Sequence, residues 1–291
     1  MTGVGGTLVE AAPAKVNLVL QVGPRRDDGL HELCSLFASI DLADTLRFEV
    51  VDVGGVDDVR CPGVDGPNLV TSALAAFRDV AAGGLPPLRV EIEKRIPVAA
   101  GLGGGSADAA AALRAANRIA GTPLARDELA RLAFGLGADV PSQLEPGHAL
   151  VEGAGERVEP LELPEMALVL VPAETGLRTA DVYAEADRLG STREWLEPDR
   201  LRALAGGSRD RLAAELENDL EPAVLSLRPE LRAKRATLVD AGARGASISG
   251  SGPTVFGVFG EAGAAREAAA RIPGSIVALP RPVHRHAPAS Q

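Results

Sequence analysis

Aromatic residues are scarce in this chain of 291 residues, which has one Trp, one Tyr and six Phe. A core must therefore be built mainly from Ala, Val and Leu, and a hydrophobic content of 46% is enough to build one. Cysteine is equally rare. Cys34 and Cys61 stand outside any zinc or redox spacing, so we expect two reduced thiols of a cytoplasmic protein. The single Tyr183 invites a functional explanation.

Long apolar runs and basic clusters are also missing. No stretch approaches the ~20 apolar residues that cross a bilayer, and the N-terminus lacks a basic start followed by an apolar segment, so we expect no membrane partner. The formal net charge of −10 argues against nucleic acid as a partner. A polyanionic ligand would have to be held locally, by backbone N–H groups, a helix N-terminus, one or two cations and a metal ion.

The length suits two domains, and the prolines of the segment EPLELPE favour a boundary nearby, which gives domains over 1–158 and 159–291. Hydrophobic periodicity and turn residues predict the individual elements. In the first domain these are a strand pair over 7–23 broken at Pro13, strands at 45–53 and from Leu88 toward Pro97, and helices over 68–82, 106–120 and 126–136. In the second they are an apolar strand at 166–172, helices near 179–189, 209–217 and 222–241, and a closing strand, strand, helix and strand. This alternation predicts a layered α+β domain. The last residues, 280–291, are expected to be an unstructured tail in which His284 and His286 are too few for a metal site.

A glycine-rich loop, PVAAGLGGGSAD at residues 97–108, joins a predicted strand to the strongest predicted helix. Glycines allow backbone N–H groups to approach an anion at the helix N-terminus, and phosphate is the expected ligand. A Walker A loop would need Lys-Ser or Lys-Thr after the glycines, and the spacing is not that of a dinucleotide fingerprint. Taken alone, the loop is also compatible with a tight structural connection.

Three segments, in this order, resemble the signatures of the GHMP kinase family. They are PAKVN at 13–17, the glycine-rich loop, and ISGSG at 248–252. The resemblance implies an α+β, two-domain GHMP kinase fold, with an N-terminal ribosomal-protein-S5-like α/β domain and a C-terminal ferredoxin-like α+β domain. It also implies ATP as a substrate, Mg²⁺ bound as Mg-ATP, small molecules as the only partners, and a monomer or homodimer.

Further segments resemble one group within that family. DDGLHEL at 27–33, GSAD at 105–108 and GADVP at 137–141 are similar to members that phosphorylate a cytidylyl-carrying polyol on the non-mevalonate route to isoprenoid precursors. A family kinase for another alcohol, of the homoserine or mevalonate type, and a catalytically silent nucleotide- or sugar-binding homologue remain the alternatives.

The resemblance assigns catalysis to Lys15 and Asp139. A carboxylate within hydrogen-bond reach of a hydroxyl can accept its proton as phosphorus is attacked. A nearby ammonium would keep that carboxylate ionised and offset charge on the transferred group. Without the other motifs, the pattern favours a turn after a helix for Asp139 and a solvated strand residue for Lys15.

The family pattern also implies two sets of binding residues, while the sequence identifies no ligand for Mg²⁺. The residues implied for ATP are Pro97, Val98, Ala99, Ala100, Gly101, Leu102, Gly103, Gly104, Gly105, Ser106, Ala107, Asn68 and Lys94. The residues implied for the second substrate are Asn17, His31, Leu30, Thr179, Tyr183, Ser249 and Gly250.

The chain departs from the family at two places. Leu30 stands where the family usually has a Tyr that stacks on cytosine, and Leu covers a ring face without an aromatic quadrupole. Ser142 and Gln143 follow GADVP where an aromatic or apolar residue is usual. His31 is also compatible with an ordinary loop position, and Tyr183 with packing of a helix.

Overall fold

The computed structural model describes residues 6–51, 55–64, 66–81, 84–121 and 124–281. The part of the expected tail from residue 282 onward, with His284 and His286, lies outside these ranges. In chain order the elements are β1 (Leu8–Arg25), β2 (His31–Val50), β3 (Asp58–Arg60), α1 (Leu69–Val80), β4 (Leu88–Glu93), α2 (Gly104–Ile119), α3 (Arg126–Leu136), a 3-10 turn (Pro141–Gln143), β5 (Ala149–Gly153), β6 (Arg157–Pro160), β7 (Ala167–Val171), α4 (Thr179–Leu189), α5 (Pro198–Ala205), α6 (Arg209–Ala214), β8 (Glu217–Asn218), α7 (Glu221–Leu227), α8 (Leu231–Asp240), β9 (Gly245–Ile248), β10 (Val255–Phe259), α9 (Ala262–Ala269) and β11 (Ile276–Ala278).

Two compact units divide the chain, and they interleave in sequence. The first comprises the described residues of Met1–Ala14, Leu42–Val98 and Gly103–Leu144. The second comprises Lys15–Asp41, Ala99–Leu102 and the described residues of Glu145–Gln291. Strands β1 and β2 and the glycine-rich loop therefore contribute residues to both units. The domain boundary at 158 remains a prediction.

The first unit packs three helices against strands. The end of β2 pairs antiparallel with β4, from Thr45 opposite Glu93 to Val50 opposite Leu88, and β3 runs parallel to β4. Helices α1, α2 and α3 share one hydrophobic core with these strands. Alanine predominates on the buried face of α2, and its small side chain lets neighbouring elements approach closely. This packing holds the helix whose N-terminus follows the glycine-rich loop.

The second unit contains a four-stranded antiparallel sheet in the order β11-β7-β10-β9. All residues of β7 and β10 are buried, so these strands read as continuous apolar runs. The same unit pairs the first half of β2 with β5, β5 with β6, and the later part of β1 with β8. This arrangement positions the start of β2 and the β9–β10 connection, which carries the third signature.

Several predicted elements end elsewhere in the structure. The predicted break at Pro13 is wrong, because β1 runs through it, and a proline is tolerated in a strand where its missing N–H is not needed. The predicted helix over 222–241 is two helices, α7 and α8. Pro229 disfavours a helical conformation at the residue before it, and Arg228 leaves that conformation with φ −138° and ψ 70°. The predicted helix over 209–217 ends at Ala214, because Glu217 and Asn218 pair with β1 instead.

Within the described ranges, no helix combines the length and the apolar character needed to cross a membrane.

Candidate active site

The glycine-rich loop ends in a helix N-terminus suited to an anion. Helix α2 begins at Gly104, and the residue before it, Gly103, adopts a left-handed conformation with φ 69°. The first N–H groups of an α-helix have no carbonyl partner within the helix, and the helix dipole favours negative charge there. Ala99 also has a positive φ of 51°, which costs a non-glycine residue about 1–2 kcal/mol. A strained loop leading into this terminus is typical of a binding site.

Close approach of backbone explains the glycine at position 101. A Cβ atom there would lie 2.3 Å from the carbonyl oxygen of Ser249 and 2.7 Å from that of Gly252. The Ser249 hydroxyl donates a 2.9 Å hydrogen bond to the Gly101 carbonyl. The backbone N–H of Lys15 donates to the carbonyl of Leu102 at 3.0 Å. Residues from all three family signatures therefore meet in the second unit.

Lys15 is buried, and its side chain has a defined orientation. The Nζ donates to Asn17 Oδ1 at 2.6 Å and lies 4.7 Å from the ring centroid of Phe37. Asn17 in turn donates through Nδ2 to the Ser35 hydroxyl at 2.9 Å and through its backbone N–H to the Ser249 hydroxyl at 3.2 Å. Only 4% of Lys15 is exposed, so the alternative of a solvated strand residue is wrong. A buried ammonium held in this way is pre-oriented for a negatively charged partner.

Gly250 completes this group. A Cβ at Gly250 would lie 3.0 Å from Asn17 Oδ1 and 3.4 Å from Lys15 Nζ. Its φ of 56° is a left-handed conformation, which favours glycine over residues with a side chain. Lys15, Asn17, Ser249 and Gly250 thus lie together, as a site built from the first and third signatures requires.

Asp139 lies in the first unit, in the turn between α3 and the 3-10 turn. The hydroxyl of Ser142 donates to the Asp139 carbonyl at 2.8 Å, and the N–H of Val140 donates to the Gly137 carbonyl at 3.1 Å. Arg114 donates to the carbonyl of Gln143 at 2.7 Å. Ser142 and Gln143, two departures from the family pattern, are therefore buried residues of a hydrogen-bonded turn.

An aromatic pair forms around His31. The ring centroids of His31 and Tyr183 are 5.3 Å apart with planes inclined at 38°. The His31 Nδ1 donates to the Gly23 carbonyl at 3.1 Å, and Nε2 lies 3.2 Å from Asp187 Oδ1. Leu30, the residue before His31, is 43% exposed. Sequence reasoning missed Asp187, although its position four residues after Tyr183 on a predicted helix places both on one helix face.

Thr179 lies at the first position of α4, and its hydroxyl is 3.0 Å from that of Ser251. The contact joins the segment of Tyr183 to the third signature.

Two residues implied for ATP have protein partners. Asn68 is the N-cap of α1, where its side chain accepts a hydrogen bond from the N–H of Val70 at 2.8 Å. Lys94 donates to the carboxylates of Asp44 and Asp108. Asp108 stands inside the GSAD segment, whereas no sequence motif indicates Asp44. In the described part of the chain, no group of three or more His, Cys, Asp or Glu side chains is arranged to hold a metal ion.

Two family models match parts of the chain. Residues 68–147 match the model of the GHMP kinases N terminal domain, and residues 201–276 match that of the GHMP kinases C terminal domain.

Individual proteins similar to this chain identify a narrower group than the family models do. A 4-diphosphocytidyl-2-C-methyl-D-erythritol kinase from Anaeromyxobacter dehalogenans (strain 2CP-C) is 44% identical over 300 residues, which cover 96% of this chain and 92% of the relative. The crystal structure of a 4-(cytidine 5'-diphospho)-2C-methyl-D-erythritol kinase matches with a TM-score of 0.77 and 37% identity, covering 94% of this chain and 100% of the other. Homoserine kinase from Cytophaga hutchinsonii has a TM-score of 0.71 but 20% identity, covering 97% of this chain and 96% of the other, which shows a shared fold alone.

Proposed function

The chain belongs to the GHMP kinase family, and we propose that it transfers the γ-phosphate of ATP to the 2-hydroxyl of 4-diphosphocytidyl-2-C-methyl-D-erythritol. The product is the 2-phosphate, formed in the non-mevalonate (methylerythritol phosphate) route to isoprenoid precursors. The observation that carries this proposal is 44% identity to a kinase of that name over 96% of the chain.

The glycine-rich loop and the N-terminus of α2 bind the triphosphate in this proposal. Backbone N–H groups offer hydrogen bonds and a favourable dipole to phosphate oxygens. ATP enters as Mg-ATP, because phosphoryl transfer needs the phosphate charge neutralised and Mg²⁺ commonly binds through substrate phosphates. The left-handed glycines at 101 and 103 support this assignment, because they let the backbone approach a ligand closely.

Phosphoryl transfer itself is assigned to Asp139 and Lys15. The substrate hydroxyl oxygen forms a bond to the γ-phosphorus, the bond from that phosphorus to the β-bridging oxygen breaks, and ADP leaves. The hydroxyl proton passes to the Asp139 carboxylate. The Lys15 ammonium, oriented by Asn17, offsets negative charge on the transferred phosphoryl group.

The cytidylyl group is assigned to the surface around His31 and Tyr183. Their rings offer an apolar face on which a base can stack, and Leu30 adds exposed aliphatic surface. Thr179, Asn17, Ser249 and Gly250 complete the proposed substrate set. We further propose a cytoplasmic monomer or homodimer acting on small molecules alone, which fits two cysteines that are both free thiols.

Phosphate transfer from ATP, measured over a panel of alcohols, tests the substrate. We expect turnover of 4-diphosphocytidyl-2-C-methyl-D-erythritol and little of homoserine or mevalonate. Robust turnover of homoserine without turnover of the cytidylyl substrate would defeat the proposal. The Asp139→Ala variant tests the mechanism against a silent homologue. Its kcat should fall roughly 10²-fold or more while ATP binding stays nearly intact, and an unchanged kcat would remove Asp139 from the reaction.

A further inference from the structure

A buried ion cluster in the first unit has no role in the reaction described above. It consists of Asp44, Lys94 and Asp108. Lys94 Nζ lies 2.5 Å from Asp44 Oδ2 and 2.8 Å from Asp108 Oδ2. The side chains of Lys94, Asp44 and Asp108 are 14%, 0% and 6% exposed. Charges withdrawn from water this far are costly unless they are paired, so the pairing must be maintained in the folded protein.

The cluster is attached to the chain that enters the glycine-rich loop. Asp44 Oδ1 accepts hydrogen bonds from the backbone N–H groups of Arg95 at 2.6 Å and Ile96 at 2.9 Å. These are the two residues immediately before Pro97. Asp44 therefore holds the segment from which the loop begins, and through Lys94 it is linked to a second element.

That second element is the first part of α2, where the loop ends. Asp108 lies one turn into the helix, and a Cβ at Gly104 would lie 3.4 Å from Lys94 Nζ. The same Cβ would lie 3.0 Å from Cγ2 of Ile96. The chain before the loop thus packs directly against the first residue of α2. The cluster connects the two ends of the loop to each other.

The charges argue against Lys94 as a direct phosphate ligand. Two carboxylates already face its one ammonium, so the positive charge of Lys94 is offset within the protein before any phosphate arrives. Burial raises the pKa of Asp108 well above its ordinary value, and the Asp44 charge adds to this while Lys94 opposes it. Asp108 Oδ1 is buried, and within the described residues no group donates a hydrogen bond to it. Lys94 is engaged with a carboxylate at each end of the glycine-rich loop, which suits a link between two segments rather than a cation offered to a ligand.

We propose that Asp44, Lys94 and Asp108 are positioning residues for the nucleotide. They fix the start of the glycine-rich loop against the N-terminus of α2, so that the loop N–H groups are aligned for phosphate before ATP arrives. The proposal rests on the proposed function for the identity of the nucleotide. It reassigns Lys94 from an ATP contact to a residue that acts through the loop.

Isothermal titration calorimetry with an unreactive ATP analogue, without the polyol, tests this on the full chain. Asp108→Asn keeps the shape of the side chain and removes its charge, and we expect its dissociation constant to rise about tenfold or more. In kinetic assays the KM for ATP should rise while the KM for the polyol changes less than about twofold. A cluster that only stabilises the fold would not raise the KM for ATP while leaving the KM for the polyol nearly unchanged.

Asp57→Asn is the matched control. Asp57 forms an ion pair with Arg78 in the same unit, at 2.6 Å and with side chains that are 18% and 28% exposed. We expect this variant to lower the melting temperature and to leave both KM values unchanged.

Three results would overturn the proposal. The first is a dissociation constant of Asp108→Asn for the ATP analogue within about twofold of that of the parent chain. The second is an equal loss of affinity for the analogue in Asp57→Asn. The third is a loss of the fold in both Asp108→Asn and a second variant, Lys94→Gln. If only Asp108→Asn fails to fold, Lys94→Gln decides by the same criterion. If the parent chain itself does not bind the analogue, the proposed function fails, and this outcome is distinct from the other three.

Discussion

Replacing Gly101 by alanine would place a methyl group against the two carbonyl oxygens that enclose the glycine-rich loop. The new Cβ would lie 2.3 Å from the Ser249 oxygen and 2.7 Å from the Gly252 oxygen. Alanine has no rotamer with which to avoid them, so the backbone of the loop or of the third signature must move. The position also has φ +76°, which L-residues rarely adopt.

Two effects determine how much stability Gly101→Ala loses. A left-handed conformation costs a residue with a Cβ about 1–2 kcal/mol, and overpacking a well-packed site costs about 1–3 kcal/mol. We therefore expect the free energy of unfolding to fall by roughly 2–5 kcal/mol. Because the loop is the proposed phosphate site, we also expect the KM for ATP to rise about tenfold or more.

Urea denaturation and steady-state kinetics measure the two effects. The control is Gly274→Ala, at a position with φ +71° and no atom within 4 Å of the new Cβ, which isolates the conformational term. The control should lose about 1–2 kcal/mol and keep the parent KM for ATP. If Gly101→Ala matches the control in both measurements, the close approach of the loop and the third signature plays no part in binding ATP.

Three further predictions concern other parts of the chain. Leu30→Tyr should tighten binding of the cytidylyl substrate by about 0.5–1.5 kcal/mol, because it adds an aromatic face on which the base can stack. Calorimetry that shows no change would mean that residue 30 does not face the base. Burial lowers the pKa of His148 to about 4. Between about pH 6.5 and pH 4, His148 is protonated in the unfolded chain but stays neutral in the folded chain. The free energy of unfolding should therefore fall by about 3 kcal/mol as the pH is lowered across that window. Denaturation curves of His148→Leu should lack this component, and an identical pH dependence in the variant would contradict the assignment. Burial also raises the pKa of Cys34 to about 12, so iodoacetamide at pH 8 should label Cys61 well before Cys34, and equal labelling rates would contradict that burial.

Local signals in the sequence account for much of the fold. Helix α3 begins and ends at the predicted residues, because its apolar residues repeat at helical spacing and Gly137 ends it. Helix α2 begins two residues before the predicted Ser106. Serine is a good N-cap and glycine a poor helix former, but close packing of Gly104 against Ile96 favours glycine inside the first turn. The missed helix α5 carries Pro198 in its first turn, a start signal that was available.

The candidate site depends on contacts that no local pattern encodes. The backbone N–H of Asn17 meets the hydroxyl of Ser249 across 232 residues of sequence. Periodicity assigns each segment to an element but does not say which elements pack together. Only the resemblance of the three signatures to one family predicted that they belong to a single site. Asp44 could not be predicted even from the resemblance, because it is fully buried and yet belongs to no motif.

The most direct test of the account is to incubate the purified chain with Mg-ATP and 4-diphosphocytidyl-2-C-methyl-D-erythritol and follow the mixture by ³¹P NMR. We predict a new phosphomonoester signal on the polyol, an intact cytidylyl diphosphate, and one ADP for each product formed. Release of ADP and inorganic phosphate without a new phosphomonoester, or no consumption of ATP at all, would contradict it.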